Sequence, residues 1–351
     1  MTVLLVAISF AAGGFATLAI FQLVRRLIDG RMVWPAIAAA ILTTAVTTLL
    51  GMLTGAARLD YLLGISAFTL PVLVLLESAA IASGANRVAR WVLMLTWGLI
   101  VFPVAAVLPL VLTNPCRLSG CGFTDFGGAL PLFVSASAYV LLAWSPGVGR
   151  TQPQIGGPAA LVAALGFWVA FAVWLSSLEA AVDVYIPRIL LAGAVGPLAG
   201  AVGWLLVDRL KAVGRAVPRS LGFGFFAGIA ATISGAVTVS FPWSLLVGAL
   251  AGVFGALIHS ARVVSRAGVA TRWGLTLLVA AAIGFLAPPI AGDTVGVLFS
   301  AQVGVLNTPL LAFLGVAVGS VIVSAPAWVL LRRHQSEPTL VVAVQPQPDP
   351  T

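Results

Sequence analysis

The sequence predicts an all-α integral membrane protein of eleven transmembrane helices, with the N-terminus outside and the C-terminus in the cytoplasm. Three observations carry this. Of the 351 residues 61% are hydrophobic and only 8% charged, where a soluble domain carries about a quarter charged residues. Apolar runs close to the ~20 residues a helix needs to cross a bilayer recur along the chain. The basic residues near their ends are biased to one side, as the positive-inside rule requires. Of 18 Lys and Arg residues, the eleven-span arrangement leaves only Arg58, Arg117 and Arg188 outside. A wrong span count would scramble that bias downstream of the error.

The first span runs from about Thr2 to Val24 and passes beyond signal-peptide length into Arg25 and Arg26, so it reads as a retained helix. Next come spans from Val33 to Thr54, Tyr61 to Ser83, Trp91 to Thr113, and Phe126 to Trp144. The polar loop SPGVGRTQPQIGG then breaks the pattern. Beyond it lie Pro158 to Ala180, Ile189 to Val207, Leu221 to Val239, Trp243 to Ser260, Trp273 to Ile290, and Pro309 to Leu331. Residues 1–333 thus form one polytopic domain, and the polar, proline-rich 334–351 reads as a disordered cytoplasmic tail. Eleven spans divide into five, five and one. Five is odd, so the second set enters the membrane in the opposite sense, the topology of an inverted repeat followed by a final helix.

Several function classes are disfavoured at this level. The formal net charge is +8, but the basic residues fall singly or in small groups between apolar runs, without the aromatic interleaving of a nucleic-acid surface. With two His and two Cys residues, and no zinc spacing, Walker loop or dinucleotide fingerprint, no metal or cofactor is expected. No convergent cluster of His, Asp, Glu or Ser suggests an enzyme. The outer side instead carries Asp60, Asp125, Glu179, Asp183 and Asp293, a mildly negative surface that favours cations at an entrance.

The stretch of most interest is FTDFGGALPLFVSA, Phe123 to Ala136, where Asp125 stands at the mouth of an uncharged apolar segment. A buried acid is costly and is placed against a pore, a cavity or a helix end. Asp125 suits two roles that do not exclude each other, an N-cap for the fifth span and a pore-side group. Glu77, in the inner half of the third span, is either functional or paired with a cytoplasmic-side arginine such as Arg87. His259 and His334 read as interfacial. Cys116 and Cys121 share an outer loop on the oxidising side, and the alternatives there are a local disulfide or free thiols.

From Gly203 to Gly252 the run GWLLVDRLKAVGRAVPRSLGFGFFAGIAATISGAVTVSFPWSLLVGALAG resembles the corresponding region of ammonium transporters, the Amt/Mep/Rh family. A tryptophan-bearing helix, a basic loop, an AG-containing helix, a short FxxPW-like turn and a GAxAG helix follow in the same order. Asp125-Phe126-Gly127-Gly128 is similar to the DFAGG motif that opens the family's fifth helix, and Phe102 to Ala105, Gly284 to Ala287 and the last helix fall in register.

The resemblance implies a homotrimer of eleven-helix protomers in the cell inner membrane, in contact with membrane lipid. Each protomer would have a narrow hydrophobic pore for ammonia, ammonium or another small neutral solute, with no cofactor. In the family two stacked phenylalanines gate the pore and two histidines line it. Spacing from the nearest motifs puts the phenylalanine positions on Phe68 and Trp174 and the helix-five histidine on Phe133. The helix-ten histidine falls on Arg272 when counted back from Gly284, or near Leu278 when counted forward from Gly252. Two further outer-site positions, a tryptophan and a serine in the family, fall near Pro109 and on Leu178. Loss of both imidazoles argues against a family-type proton relay. The alternative is a non-transporting relative serving as a membrane sensor or as a structural subunit of a larger assembly.

Overall fold

The computed structural model describes residues 2–24, 33–55, 58–83, 85–112, 125–142, 158–179, 181–211, 217–293 and 296–334. Among them there is no β-strand, only one antiparallel bridge between Val239 and Gly292. Among the described residues eight helices are long and apolar enough to cross a membrane, and three shorter apolar helices stand where the fifth, sixth and eighth spans are predicted. The chain is an integral, multi-pass membrane protein. Cys116 and Cys121 lie outside the described residues, as does the predicted tail from 335 onward.

Helices α1 (Thr2–Val24) and α2 (Val33–Leu53) are unbroken. The third span is broken into α3 (Leu59–Ser66) and α4 (Thr69–Ala82), with Ala67 and Phe68 between them. The Thr69 hydroxyl donates to the Ser66 carbonyl at 2.7 Å and steadies the break. The fourth span comprises α5 (Arg87–Thr96), a wide π-helical turn at Trp97–Val101 and α6 (Phe102–Leu112). Asn86 caps α5 by accepting the Ala89 N–H at 2.9 Å. The fifth span has a second wide turn, Leu130–Val134, leading into α7 (Ser135–Tyr139). Pro103 follows the first wide turn by two residues and Pro131 lies within the second. A proline withdraws an N–H from the ladder, and the local widening accommodates that loss.

The remaining helices are α8 (Pro158–Ser177), α9 (Tyr185–Leu210), α10 (Val217–Thr232), α11 (Phe241–Ser260), α12 (Arg262–Ser265), α13 (Val269–Ala291), α14 (Val297–Ser300) and α15 (Asn307–His334). Helices α9, α10 and α11 pack through glycines four apart. A Cβ at Gly200 would strike the Gly224 carbonyl and the Gly228 backbone, and one at Gly252 would strike the Gly200 carbonyl. In lipid, where no hydrophobic drive joins helices, such close approach supplies the packing energy.

Indole and hydroxyl groups tie the two wide turns to each other and to the last helix. Trp97 Nε1 donates to Ser135 Oγ at 3.1 Å, the Tyr139 hydroxyl donates to the Leu93 carbonyl at 2.9 Å, and Trp328 Nε1 donates to the Tyr139 carbonyl at 2.9 Å. With no water in the bilayer core, each such donor must find its partner inside the protein.

One sequence expectation needs correction. Glu77 pairs with Arg90 at 3.7 Å rather than with Arg87. Arg90 lies on α5 one turn inward from its cap, and both side chains are buried. His259, at the inner end of α11, is 2% exposed, covered by rings from α9, α10 and α13.

Candidate functional site

Asp125 organises the start of the fifth span. Its carboxylate oxygens accept the backbone N–H groups of Ala129 at 2.7 Å and Leu130 at 2.9 Å, one oxygen to each. These are donors that a helix start leaves without partners. The Ser234 side chain is a third hydrogen-bond partner.

The glycines of the DFGG stretch serve the same joint. The Gly127 N–H donates to the Ile233 carbonyl at 3.0 Å, and a Cβ there would collide with Ile233 and Leu175. Gly128 has φ +73°, the left-handed region that favours glycine. The Phe126 N–H reaches the Ser234 carbonyl at 3.2 Å, and the Tyr61 hydroxyl donates to the Asp125 carbonyl at 2.6 Å. The outer end of the fifth span is thus tied to the end of α10 and to α3.

Phe68 and Trp174, placed at equivalent positions by counting alone, meet in the structure. Their rings stack with centroids 4.2 Å apart at 25°. Phe68 occupies the break between α3 and α4, and Trp174 comes from α8. Trp174 Nε1 donates to the Gly64 carbonyl at 2.9 Å, which fixes the indole plane. Phe171 lies beside both rings, 6.2 Å from Phe68 and 6.0 Å from Trp174, and Phe167 stands 5.9 Å from Phe68. Phe68 is 1% and Trp174 0% exposed, so the stacked pair is fully buried. Phe133 is buried in the wide turn of the fifth span.

The other carried-over positions are accounted for less specifically. Leu178 is buried beside Gly64, and its carbonyl accepts from Arg58 at 3.5 Å. Pro109 falls in α6. Arg272 sits in the first turn of α13 and donates to the Ser265 carbonyl at 2.7 Å. Leu278 lies near the middle of that 23-residue helix, so of the two registers only Leu278 is at mid-helix. Outside, Arg58 pairs with Asp60 at 3.2 Å and Arg188 pairs with Asp293.

The inner ends of α9 to α13 hold a polar and aromatic cluster that the sequence did not announce. Asp208 accepts Trp204 Nε1 at 3.1 Å and the Ser220 hydroxyl at 2.6 Å. The His259 ring lies 5.4 Å from Trp204, 5.2 Å from Phe223 and 5.5 Å from Trp273, with Nδ1 3.3 Å from Thr276 Oγ1. Trp204 and Asp208, four residues apart on one helix face, were the available signal. The adjacent Arg209 and Lys211 make Asp208 look like part of the basic loop. Among the described residues no group of three His, Cys, Asp or Glu could hold a metal.

A buried aromatic stack beside an acid-capped short helix, inside a bundle of apolar spans, is the arrangement this multi-pass membrane protein presents. Comparison with solved structures gives that architecture its name, the Amt/Mep fold. Saccharomyces cerevisiae Mep2 matches with a TM-score of 0.65 and 13% identity, over 96% of this chain and 88% of that one. Candida albicans Mep2 matches with a TM-score of 0.69 and 14% identity, over 94% and 84%. A structure named a sensor Amt protein matches with a TM-score of 0.64 and 12% identity, over 95% of each chain. No family model and no curated protein matches the sequence. The similarity therefore lies in the backbone arrangement, which survives at identities this low because packing and helix order constrain it more than individual side chains do.

Proposed function

We propose that this protein is a channel of the ammonium-transporter type that passes ammonia, ammonium or another small neutral solute through a hydrophobic pore. The observation that carries the proposal is the stacked Phe68–Trp174 pair at the break of the third span. Two rings in contact, one anchored by an indole hydrogen bond, close a pathway to water and ions while ring tilting admits something small. Trp174 offers a π face to an approaching ammonium ion, worth about 0.5–2 kcal/mol depending on desolvation. Phe133, in place of an imidazole, can neither relay a proton nor answer a change in pH. The solute therefore crosses the middle of the pore as a neutral molecule. Asp125 holds the helix that carries Phe133 and so sets the pathway's outer geometry. A homotrimer, each protomer with its own pore, is the assembly that accompanies this proposal.

The test is reconstitution of the purified protein into liposomes loaded with a pH-sensitive dye. An imposed ammonium gradient should alkalinise the interior faster than in empty liposomes. Unchanged rates with demonstrably folded protein would leave the fold serving a non-transporting role.

A further inference from the structure

The chain around Phe133 is held on both sides. On the outer side Asp125 accepts the Ala129 and Leu130 N–H groups. On the inner side Ser135 closes the wide turn twice: its N–H donates to the Leu130 carbonyl, and its hydroxyl donates to the Pro131 carbonyl. Phe133 lies between these residues, in a turn wider than an α-helical one. The Ser135 oxygen also accepts, from Trp97 Nε1 at 3.1 Å. Trp97 is the first residue of the other wide turn, where the Phe102 N–H donates to its carbonyl, and its ring packs on Phe102 with centroids 5.3 Å apart. Trp97 and Ser135 are both 0% exposed, so neither can exchange this partner for water.

A wide turn has a ready alternative. If it tightened to α geometry, the residues on its two sides would rotate against each other by about 100°, the angle one residue occupies on a helix, and the Phe133 ring would leave the face it occupies. The indole–hydroxyl bond opposes that rotation, because Ser135 stands at the inner end of the turn and its partner belongs to another span. The bond is not needed merely to fasten the spans together, since Tyr139 already bonds the Leu93 carbonyl and Trp328 the Tyr139 carbonyl. We propose, on the pathway reading of Phe133 given above, that Trp97 and Ser135 are positioning residues: their bond locks the wide turn of the fifth span and so fixes the ring that selects solute by size in the middle of the pore.

Fluorine NMR of the full-length protein in detergent, with 4-fluorophenylalanine placed at position 133 and, as a control, at position 223 in α10, tests the positioning without relying on transport. The wild type should give one narrow resonance at position 133. Trp97→Phe removes the donor and Ser135→Ala the acceptor, and each should raise the population of a second resonance at position 133 by about three- to tenfold, the worth of one neutral hydrogen bond, with position 223 unmoved. Ser135→Thr keeps the hydroxyl and should keep the single resonance; if Trp97→Phe folds poorly, Ser135→Ala against Ser135→Thr makes the same comparison. In liposomes the methylamine-to-ammonia flux ratio should change in Trp97→Phe and Ser135→Ala and be preserved in Ser135→Thr. A position-133 signal that ignores both variants, one that moves only together with position 223, or a flux ratio unchanged in conducting variants would overturn the proposal. A responsive position-133 signal in a protein that carries no flux at all would support the lock and refute the pathway reading alone.

Discussion

Replacing Asp125 with alanine should cost more than any other single truncation at the outer end of the fifth span. The carboxylate satisfies the Ala129 and Leu130 N–H groups at 2.7 and 2.9 Å in a buried setting. Each N–H left without a partner there costs about 1–3 kcal/mol, so Asp125→Ala is expected to lose about 2–6 kcal/mol. Asp125→Asn keeps one acceptor oxygen and turns an NH₂ toward the second N–H, so its loss should be about half as large. Unfolding of a polytopic protein is not a two-state process, and the useful readout is the fraction of folded protein surviving a series of heating steps, measured by size exclusion in detergent. The order wild type, Asn, Ala is predicted. An Asp125→Ala variant that survives as well as the wild type would show that the acid does not hold the helix start.

Three further outcomes follow from particular contacts. Trp174→Ala removes the stacked partner of Phe68 and the bond to the Gly64 carbonyl; the ratio of methylamine to ammonia flux in liposomes should rise, and an unchanged ratio would place the constriction elsewhere. Glu77→Leu removes the carboxylate beside Arg90 in a buried site at about 3–5 kcal/mol, whereas the double variant Glu77→Leu/Arg90→Leu should recover most of that loss; heat survival of the single and double variants compares them directly. Phe133→His introduces a titratable group into the proposed pore, and flux should acquire a pH dependence between about pH 5 and 8 that the wild type lacks.

Much of the fold could be read from the chain because bilayer thickness fixes the length of apolar runs and the basic residues fix their sense. The break at Ala67–Phe68 was not legible, since the apolar pattern runs from YLLGISAF straight on into TLPVLVLLES. The fifth helix is shorter than its apolar run because Gly127 and Gly128 are spent on docking to Ile233 and on a left-handed turn, a use that hydropathy does not register. Asp125, Phe68 and Trp174 could be placed by counting from glycine-rich motifs, and the latter two do meet. The burial of His259 was not legible, because the rings that cover it come from three other helices.

The central claim is that a small neutral solute passes the Phe68–Trp174 constriction. Stopped-flow recording of internal pH in proteoliposomes under an inward ammonium gradient tests it most directly. The claim predicts faster alkalinisation than in protein-free liposomes, with no current under a clamped potential. Rates indistinguishable from protein-free liposomes, or flux carried as charge, would contradict it.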